Sequence, residues 1–312
     1  REQIATYLLQ SRGVKTDANA IIIGSSTQQM LINLGHILKG DFPSITVEDP
    51  GYDGAREAFQ FHCFTIETLP VYETGADFSQ LEQIKSRLIY VTPSHHSPYG
   101  VSMSIQQRQT LIHWANKMQG YIIEDDYDSE FRYTQQPFPA LASIDSARVI
   151  YLGNFSKSFL PGIRLSYMVL PEPLLTRYKN QFLHFESTTS LPSQLAMAKF
   201  MEEGEWNRHI KRMRLVYKRK MQHLASILKK QFDQNISIIG KQSGLYVLIK
   251  VHLECSEDWL IERASFHGVK VYPTSLYFIK NNTAEPIIKL GFSNLSCEEI
   301  ELGVELLKKA WL

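Results

Sequence analysis

The polar residues that could do chemistry in this 312-residue chain follow five short apolar runs. The five polar segments are residues 24–28, 48–52, 92–98, 124–128 and 153–157. In an open parallel sheet, ligands bind beyond the carboxyl ends of the strands, where helix N-termini and loop amides converge. Five such segments on one sheet edge predict a single site. If the ligand is an anionic aromatic cofactor, each segment could bind a part of it.

Lys157 follows the apolar run at 149–152, and a neutral lysine amine there could form a Schiff base with a carbonyl. Arg164 lies seven residues further on and could bind a phosphate with two donors, or be an ordinary surface ion-pair partner. Ser26 and Thr27 precede a predicted helix, where hydroxyls and backbone N–H groups suit a phosphate. Simple N-capping explains these two hydroxyls equally well.

Asp125 directly follows the apolar run at 121–123, where a carboxylate is costly to bury unless it has a partner. A protonated pyridinium nitrogen would be a suitable partner, and a structural network with Arg132 is the alternative. Tyr127 could hydrogen-bond a ring hydroxyl. Tyr52 could stack on the ring face, or simply occupy an exposed turn.

Short strands alternate with helices from residue 20 to about residue 170, which predicts an α/β fold with a mostly parallel sheet flanked by helices. The predicted strands are 21–23, 45–47, 63–66, 88–91, 121–123, 149–152 and 168–170. Ser104 with Gln107 predicts a capping box at the start of one helix, and Gly120 predicts a left-handed cap at its end.

Beyond residue 181 the pattern changes to long helices and a second set of strands, which predicts a smaller α+β domain. Its strands are expected at 244–251, 269–272 and 287–292, and its later helices at 256–267 and 297–312. The predicted division is a large domain at 20–200 and a smaller domain formed by 1–19 and 201–312. The basic run within 206–230 is interpreted as a solvated helix face rather than a nucleic-acid surface.

Composition restricts the function classes. There are 33 basic and 32 acidic residues, so no global charge attracts nucleic acid or an anionic membrane. Three widely spaced cysteines predict neither a disulfide framework nor a metal site, and they suit a reducing cytoplasm. No apolar run approaches the ~20 residues that span a bilayer. The chain begins in an amphipathic helix without a leader, as expected of a domain cut from a longer protein.

Several motifs resemble the MocR/GabR family of GntR-type transcriptional regulators. The motifs lie at 47–52, 91–95, 124–133 (EDDYDSEFRY), 151–157 (YLGNFSK) and 161–165. The similarity covers nearly the whole chain, including 208–214 and 290–292. It implies a fold-type I, pyridoxal-phosphate-binding, aminotransferase-like effector domain that forms a homodimer. In that family a winged-helix domain normally precedes this part and contacts DNA, and it is absent from this sequence.

The resemblance also implies the roles of individual residues around pyridoxal 5'-phosphate. Lys157 would carry the internal aldimine, Asp125 would face the ring nitrogen, Tyr127 the ring oxygen and Tyr52 the ring face. The residues implied for the phosphate are Ser26, Thr27, Ser156 and Arg164, and His95 or one of its neighbours is implied for the O3′ side.

Two positions depart from the family's pattern. Lys289 stands where aminotransferases of this fold often have an arginine for the substrate carboxylate. It would attract an effector carboxylate without the bidentate fork, or it is a solvated strand residue. Asn154 stands three residues before Lys157, where a hydroxyl is usual, so the phosphate site is expected to be built slightly differently.

The resemblance favours an effector-sensing domain with little or no sustained turnover. An amino compound would displace Lys157 as an external aldimine and shift the small domain relative to the large one. The alternative is a catalytically active pyridoxal-phosphate-dependent aminotransferase, and a third interpretation is a sensor of the cofactor alone. An ω-amino acid, a D-amino acid and its dipeptide all remain candidate effectors.

Overall fold

The computed structural model describes residues 1–133, 138–280 and 285–312. Within them, an eight-stranded sheet has the strand order β1-β8-β7-β6-β5-β2-β3-β4, and a four-stranded sheet has the order β11-β12-β10-β9. The strands of the large sheet are β1 Ile21–Gly24, β2 Ser44–Asp49, β3 Thr65–Tyr72, β4 Gly75–Ala76, β5 Leu88–Val91, β6 Tyr121–Asp126, β7 Val149–Asn154 and β8 Ser166–Val169. The strands of the small sheet are β9 Ile236–Ile239, β10 Tyr246–Val251, β11 Tyr272–Pro273 and β12 Ile287–Gly291.

Helices cover both faces of the large sheet, and the C-terminal part of the chain packs on the small sheet. The helices are α1 Glu2–Arg12, α2 Thr27–Leu38, α3 Asp53–Phe61, α4 Ile105–Met118, α5 Leu141–Ile144, α6 Glu172–Gln181, α7 Leu191–Glu202, α8 Glu205–Phe232, α9 Glu257–Phe266 and α10 Cys297–Trp311. Ile122 and Ile123 of β6 face two different hydrophobic cores, one shared with Leu111 of α4 and the other with Leu34 of α2. Strands buried on both faces read as continuous apolar runs, which is why the sequence shows them so clearly.

The predicted fold class is confirmed: neighbouring strands β3, β2, β5, β6 and β7 pair in parallel. Strand β8 is antiparallel to both of its neighbours and β4 is antiparallel to β3, so the sheet is mixed at both edges. The strand predicted at 63–66 instead begins at Thr65, because Cys63 has a positive φ of 57° in the turn that ends α3. The strand predicted at 244–251 begins at Tyr246, since Gly244 has a φ of 81°, and the one predicted at 269–272 shrinks to Tyr272–Pro273.

Helix α4 has the predicted start and a different end. Ser104 and Gln107 form both hydrogen bonds of the capping box. The left-handed C-cap is Gln119 with a φ of 50°, not Gly120. Gly120 is required for another reason, because a Cβ at this position would lie 2.0 Å from the carbonyl oxygen of Arg87.

Helix α1 contacts both parts of the chain. The ring of Tyr7 packs edge-on against Trp206 of α8 at 5.8 Å, and Arg12 forms an ion pair with Asp126 of β6 at 2.6 Å. Since α1 contacts both β6 and α8, the division into a large domain at 20–200 and a smaller domain at 1–19 and 201–312 stays a prediction. One face of α8 is buried, whereas the lysines and arginines of this helix are exposed or half-buried. The buried residues are Trp206, Ile210, Met221, Leu224, Leu228 and Phe232. Among the described residues, no helix is long and apolar enough to cross a membrane.

Candidate functional site

A cavity of about 190 Å³ lies at the carboxyl ends of β5, β6 and β7, where the small sheet approaches the large one. Its lining residues are Thr27, Tyr52, Thr92, Ser97, Asp125, Tyr127, Asn154, Lys157, Tyr246, Tyr277 and Lys289. Each of the five predicted polar segments contributes at least one of these residues, and three of the segments contribute two. The parallel strands therefore bring the segments together as the sequence predicts.

Asp125 is the buried acid of this cavity, with a relative exposure of 3%. Its Oδ2 accepts a hydrogen bond from the Tyr90 hydroxyl at 2.6 Å, and its Oδ1 has no partner among the described residues. Burial raises the pKa of Asp125 to about 7 against the effect of this hydrogen bond, and the neighbouring Asp126 and Asp128 raise it further. Arg132 is not its partner, since Arg132 donates to the Ser94 carbonyl at 3.2 Å. One oxygen of the acid is therefore available to a donor on a ligand.

Lys157 lies in the turn that follows β7, with an exposed side chain that lines the cavity. Its backbone N–H donates to Oδ1 of Asn154 at 3.2 Å, so Asn154 helps to fix the turn. Nδ2 of Asn154 in turn donates to the Tyr127 carbonyl at 3.5 Å. The Oγ of Ser156, next to Lys157, is buried without a hydrogen-bond partner in the part of the chain that the structure describes.

Tyr127 lines the cavity, and His95 supports it from behind. The two rings stack at 5.7 Å with an interplanar angle of 29°. Nδ1 of His95 lies 2.8 Å from both carboxylate oxygens of Asp128, which orients the imidazole. Gly244 closes over this ring, since a Cβ there would lie 2.1 Å from Cε1 of His95. His95 is therefore outside the cavity lining.

The residues predicted for a phosphate divide between the cavity and its surroundings. Ser26 is the N-cap of α2 and accepts from the Gln29 N–H at 3.1 Å, as the capping interpretation expects. Thr27, the first residue of α2, lines the cavity. Arg164 is exposed, with a φ of 49° after a short 3₁₀ turn, and like Ser26 and Ser156 it is outside the cavity lining.

Lys289 extends from β12 of the small sheet into the cavity. Its Nζ donates to the Tyr277 hydroxyl at 2.8 Å and lies 4.2 Å from the ring centre of Tyr246. Burial lowers the pKa of Lys289, while Asp128 and Asp53 oppose that change. The side chain is thus half-buried among aromatic rings rather than solvated on the strand surface.

Sequence reasoning missed four lining residues. Thr92 and Ser97 belong to a polar segment that was already singled out, and Oγ1 of Thr92 donates to the buried carboxylate of Glu48 at 2.8 Å. Tyr246 and Tyr277 come from the smaller part of the chain and belong to no local motif, so only the tertiary structure reveals them. The described residues contain no group of three or more metal-ligating side chains.

The sequence profile of the family described as aminotransferase class I and II matches residues 1–305. The chain belongs to this family. The HTH-type transcriptional regulator YdeL of Bacillus subtilis (strain 168), an uncharacterized relative, is 41% identical over 312 residues, which are 100% of this chain and 67% of the relative. The probable rhizopine catabolism regulatory protein MocR of Rhizobium meliloti is 30% identical over 310 residues, 99% of this chain and 63% of MocR. The predicted resemblance to the MocR group is confirmed, and the chain spans about two thirds of the length of these curated relatives.

Solved aminotransferases share the fold. LysN, an alpha-aminoadipate aminotransferase from Thermus thermophilus solved with N-(5'-phosphopyridoxyl)-L-leucine, is 26% identical with a TM-score of 0.86. The match covers 99% of this chain and 81% of LysN. Kynurenine aminotransferase of Pyrococcus horikoshii has a TM-score of 0.88 at 24% identity, over 99% of this chain and 79% of that one. The fold-type I assignment is therefore confirmed.

Proposed function

We propose that this chain is the effector-sensing domain of a MocR-type transcription regulator and that it binds pyridoxal 5'-phosphate through Lys157. The observation that carries the proposal is the buried Oδ1 of Asp125, which has no partner among the described residues and belongs to the same cavity as the Lys157 amine. A buried carboxylate oxygen without a donor is costly. A pyridinium N–H satisfies this oxygen, and few other biological groups combine that donor with an amine-reactive aldehyde.

The other residues fit the same cofactor. Thr27 and the first N–H groups of α2 suit its phosphate, with the Ser156 hydroxyl as a further donor. Tyr127 suits the ring oxygen, and Tyr52 suits the ring face. When bound, pyridoxal phosphate supplies an aldehyde that condenses with primary amines and a ring that withdraws electrons.

The chain's own residues then orient this group and exclude water. Asp125, held by the Tyr90 hydroxyl at 2.6 Å, would hold a proton on the ring nitrogen of the bound cofactor. The stacked pair of His95 and Tyr127 fixes the phenol that faces the ring. Lys157 would hold the cofactor through its side-chain amine, at the position that a primary amine of the effector would take.

Effector binding is proposed to act on the arrangement of the two sheets. Lys289 and Tyr246 come from the small sheet, whereas Lys157 and Asp125 come from the large one. A ligand that contacts both sets binds one arrangement more tightly and shifts the population toward it. The large-sheet side also binds the Tyr277 segment directly, since the Gly51 N–H donates to the Tyr277 carbonyl at 3.0 Å.

The role of the longer protein belongs to the same proposal. DNA contact would come from a winged-helix domain outside this chain, as the regulator names of the curated relatives suggest. The protein would work as a homodimer in the cytoplasm. Its effector would be a small amino compound, with the ω-amino acid, D-amino acid, dipeptide and cofactor-only candidates still open.

A working aminotransferase is the second candidate, favoured by the 26% identity to LysN over 99% of this chain. To separate the two, the loaded chain is mixed with each candidate amino compound and a keto acid, and product is counted per active site. The sensor predicts a change in the cofactor's absorbance that stops within about one turnover. Sustained turnover at rates typical of enzymes, about 1 s⁻¹ or faster, would overturn the sensor and establish the enzyme.

A further inference from the structure

A second cavity, here called the α1 cavity, lies where α1, the turn after β6 and α8 meet. It has a volume of about 160 Å³, close to that of the first cavity. Its lining residues are Tyr7, Ser11, Arg12, Ser129, Glu130, Asn207, Ile210, Lys211 and Arg214. None of them lines the first cavity, so a ligand in the α1 cavity would not compete with the cofactor for the same residues.

The inner part of the α1 cavity contains an acid that lacks a donor. Oε1 of Glu130 accepts a hydrogen bond from the Tyr7 hydroxyl at 2.7 Å. Its Oε2 is buried and has no partner among the residues that the structure describes. Two other polar lining residues are already engaged, since Arg12 and Ser129 both contact Asp126, at 2.6 and 2.9 Å. A ligand ammonium is the group that would satisfy Glu130.

The mouth of the α1 cavity carries positive charge from α8. Lys211 and Arg214 are both exposed and stand one helical turn apart. Arg214 donates its Nε–H to the Glu130 carbonyl at 2.9 Å, which leaves the terminal nitrogens of its guanidinium for a ligand. Arg208 of the same helix is paired with Glu205, whereas neither Lys211 nor Arg214 forms an ion pair within the described residues. A carboxylate is the natural ligand for such a pair of cations.

The lining of the α1 cavity also has a small apolar part. Ile210 is 7% exposed, and the Tyr7 ring packs against Trp206 at 5.8 Å. We propose that the α1 cavity binds a small zwitterionic α-amino acid, with its ammonium on Glu130, its carboxylate on Lys211 and Arg214, and its side chain against Ile210. The buried acceptor, the cationic mouth and the apolar lining match the three parts of such a ligand.

A ligand at this place would act on α1. Arg12, which lines the cavity, also binds Asp126, and Asp126 is the neighbour of Asp125 on β6. An amino acid bound in the α1 cavity would therefore influence Asp125 through Arg12 and Asp126, without contacting the cofactor.

Isothermal titration of the full chain with glycine, L-alanine and D-alanine tests the proposal. We expect saturable binding of at least one of the three, and at least about tenfold weaker binding in the Glu130→Gln variant. The Lys211→Ala/Arg214→Ala double variant is expected to lose affinity to a similar degree. The Arg212→Ala/Arg219→Ala double variant removes the same charge from α8 outside the cavity and is expected to retain the affinity of the unaltered chain.

Acetate and methylamine, which each carry one of the two charges, are expected to bind far more weakly than the amino acids. Circular dichroism checks that each variant is folded. Because Lys211 and Arg214 are exposed, their double variant still tests the proposal if the Glu130→Gln variant does not fold. Equal binding by the cavity variants and the control, or no binding of any of the three amino acids, would overturn the proposal. Loss of the cofactor from Lys157 would not remove the α1 cavity, because the two cavities share no lining residue, so the two proposals fail separately.

Discussion

The carboxyl group of Asp125 is the group on which the proposed cationic ligand of the first cavity depends. It is buried, one of its oxygens has no donor among the described residues, and burial raises its pKa to about 7. Such a group destabilises the chain in its charged form. Functional residues often carry this kind of cost, which the ligand then offsets.

Replacing Asp125 by Asn is expected to stabilise the cofactor-free chain at pH 8 by about 1–3 kcal/mol and to have little effect at pH 4. The pKa of the folded chain, about 7, lies above the ordinary 3.8 of Asp. The folded state therefore binds the proton more tightly, and this contribution to stability is lost as the pH rises from about 4 through 7. Urea unfolding of Asp125→Asn and the unaltered chain at both pH values measures the difference, and an equal effect at the two pH values would contradict it.

The same variant is expected to bind pyridoxal phosphate at least about tenfold more weakly, because asparagine cannot supply the charged partner of the ring nitrogen.

Lys289 is expected to select for a carboxylate on the effector. Its amine has a hydroxyl and aromatic rings as its neighbours in the described part of the cavity, so a ligand carboxylate would be its first anionic contact there. In Lys289→Ala, the concentration of an amino acid effector that changes the cofactor absorbance should rise roughly tenfold. The corresponding concentration of a simple alkylamine should stay the same. Lys270→Ala, which removes an exposed lysine near the same sheet, is the matched control. Equal losses for amino acid and alkylamine would contradict this role.

At the scale of elements, α1 is tied to β6 by a buried ion pair. Arg12 is 5% exposed, and it donates to the Ser94 hydroxyl at 2.6 Å as well as pairing with Asp126. Burial alone would raise the pKa of Asp126, but Arg12 and the Tyr151 hydroxyl outweigh it and keep this pKa below its ordinary value. The first helix of the chain is therefore coupled to the strand that carries Asp125.

Removing one partner of this pair leaves an uncompensated buried charge. We expect Arg12→Ala to lower the free energy of unfolding by about 3–5 kcal/mol. Lys15→Ala, at an exposed position close to the end of α1, should change it by less than about 0.5 kcal/mol. Urea titration of the two variants measures both values. A loss below about 1 kcal/mol in Arg12→Ala would mean that α1 is not held through this contact.

The elements that the sequence predicts well are those with a local signal. The apolar run at 121–123 and the Ser104 capping box are read directly from the chain, and both appear as expected. Gly120 was assigned the wrong role because its requirement is the approach of the Arg87 carbonyl, a contact between distant residues. The antiparallel direction of β8 likewise depends on the path of the chain rather than on the composition of the strand.

At the scale of the whole molecule, the site needs residues from both sheets. Asp125, Lys157 and Thr27 could be predicted because parallel strands place their carboxyl ends together. Tyr246 and Tyr277 could not, because their positions depend on how the small sheet packs on the large one. Arg164, which the family resemblance implies for the phosphate, is exposed and outside the cavity lining in this single chain.

The expected homodimer would cover an apolar surface around α7. Leu191 and Leu195 are 63% exposed each on one face of this helix, and Phe185 just before it is 73% exposed. Exposed apolar groups of this size are typical of an interface. Analytical ultracentrifugation should show a dimer for the unaltered chain and a monomer for Leu191→Glu/Leu195→Glu. Leu302→Glu/Leu312→Glu, which changes two similarly exposed leucines on or after α10, should remain dimeric, and dissociation of both variants alike would contradict the assignment.

We propose that Lys157 binds the cofactor covalently, and reduction of the bound form tests this most directly. The measurement is borohydride reduction of the chain loaded with pyridoxal phosphate, followed by peptide mass spectrometry, with Lys157→Ala and Lys289→Ala chains treated in parallel. We expect one adduct on Lys157, which is present in Lys289→Ala and absent from Lys157→Ala. An adduct on another lysine of the unaltered chain, or no adduct at all, would contradict it.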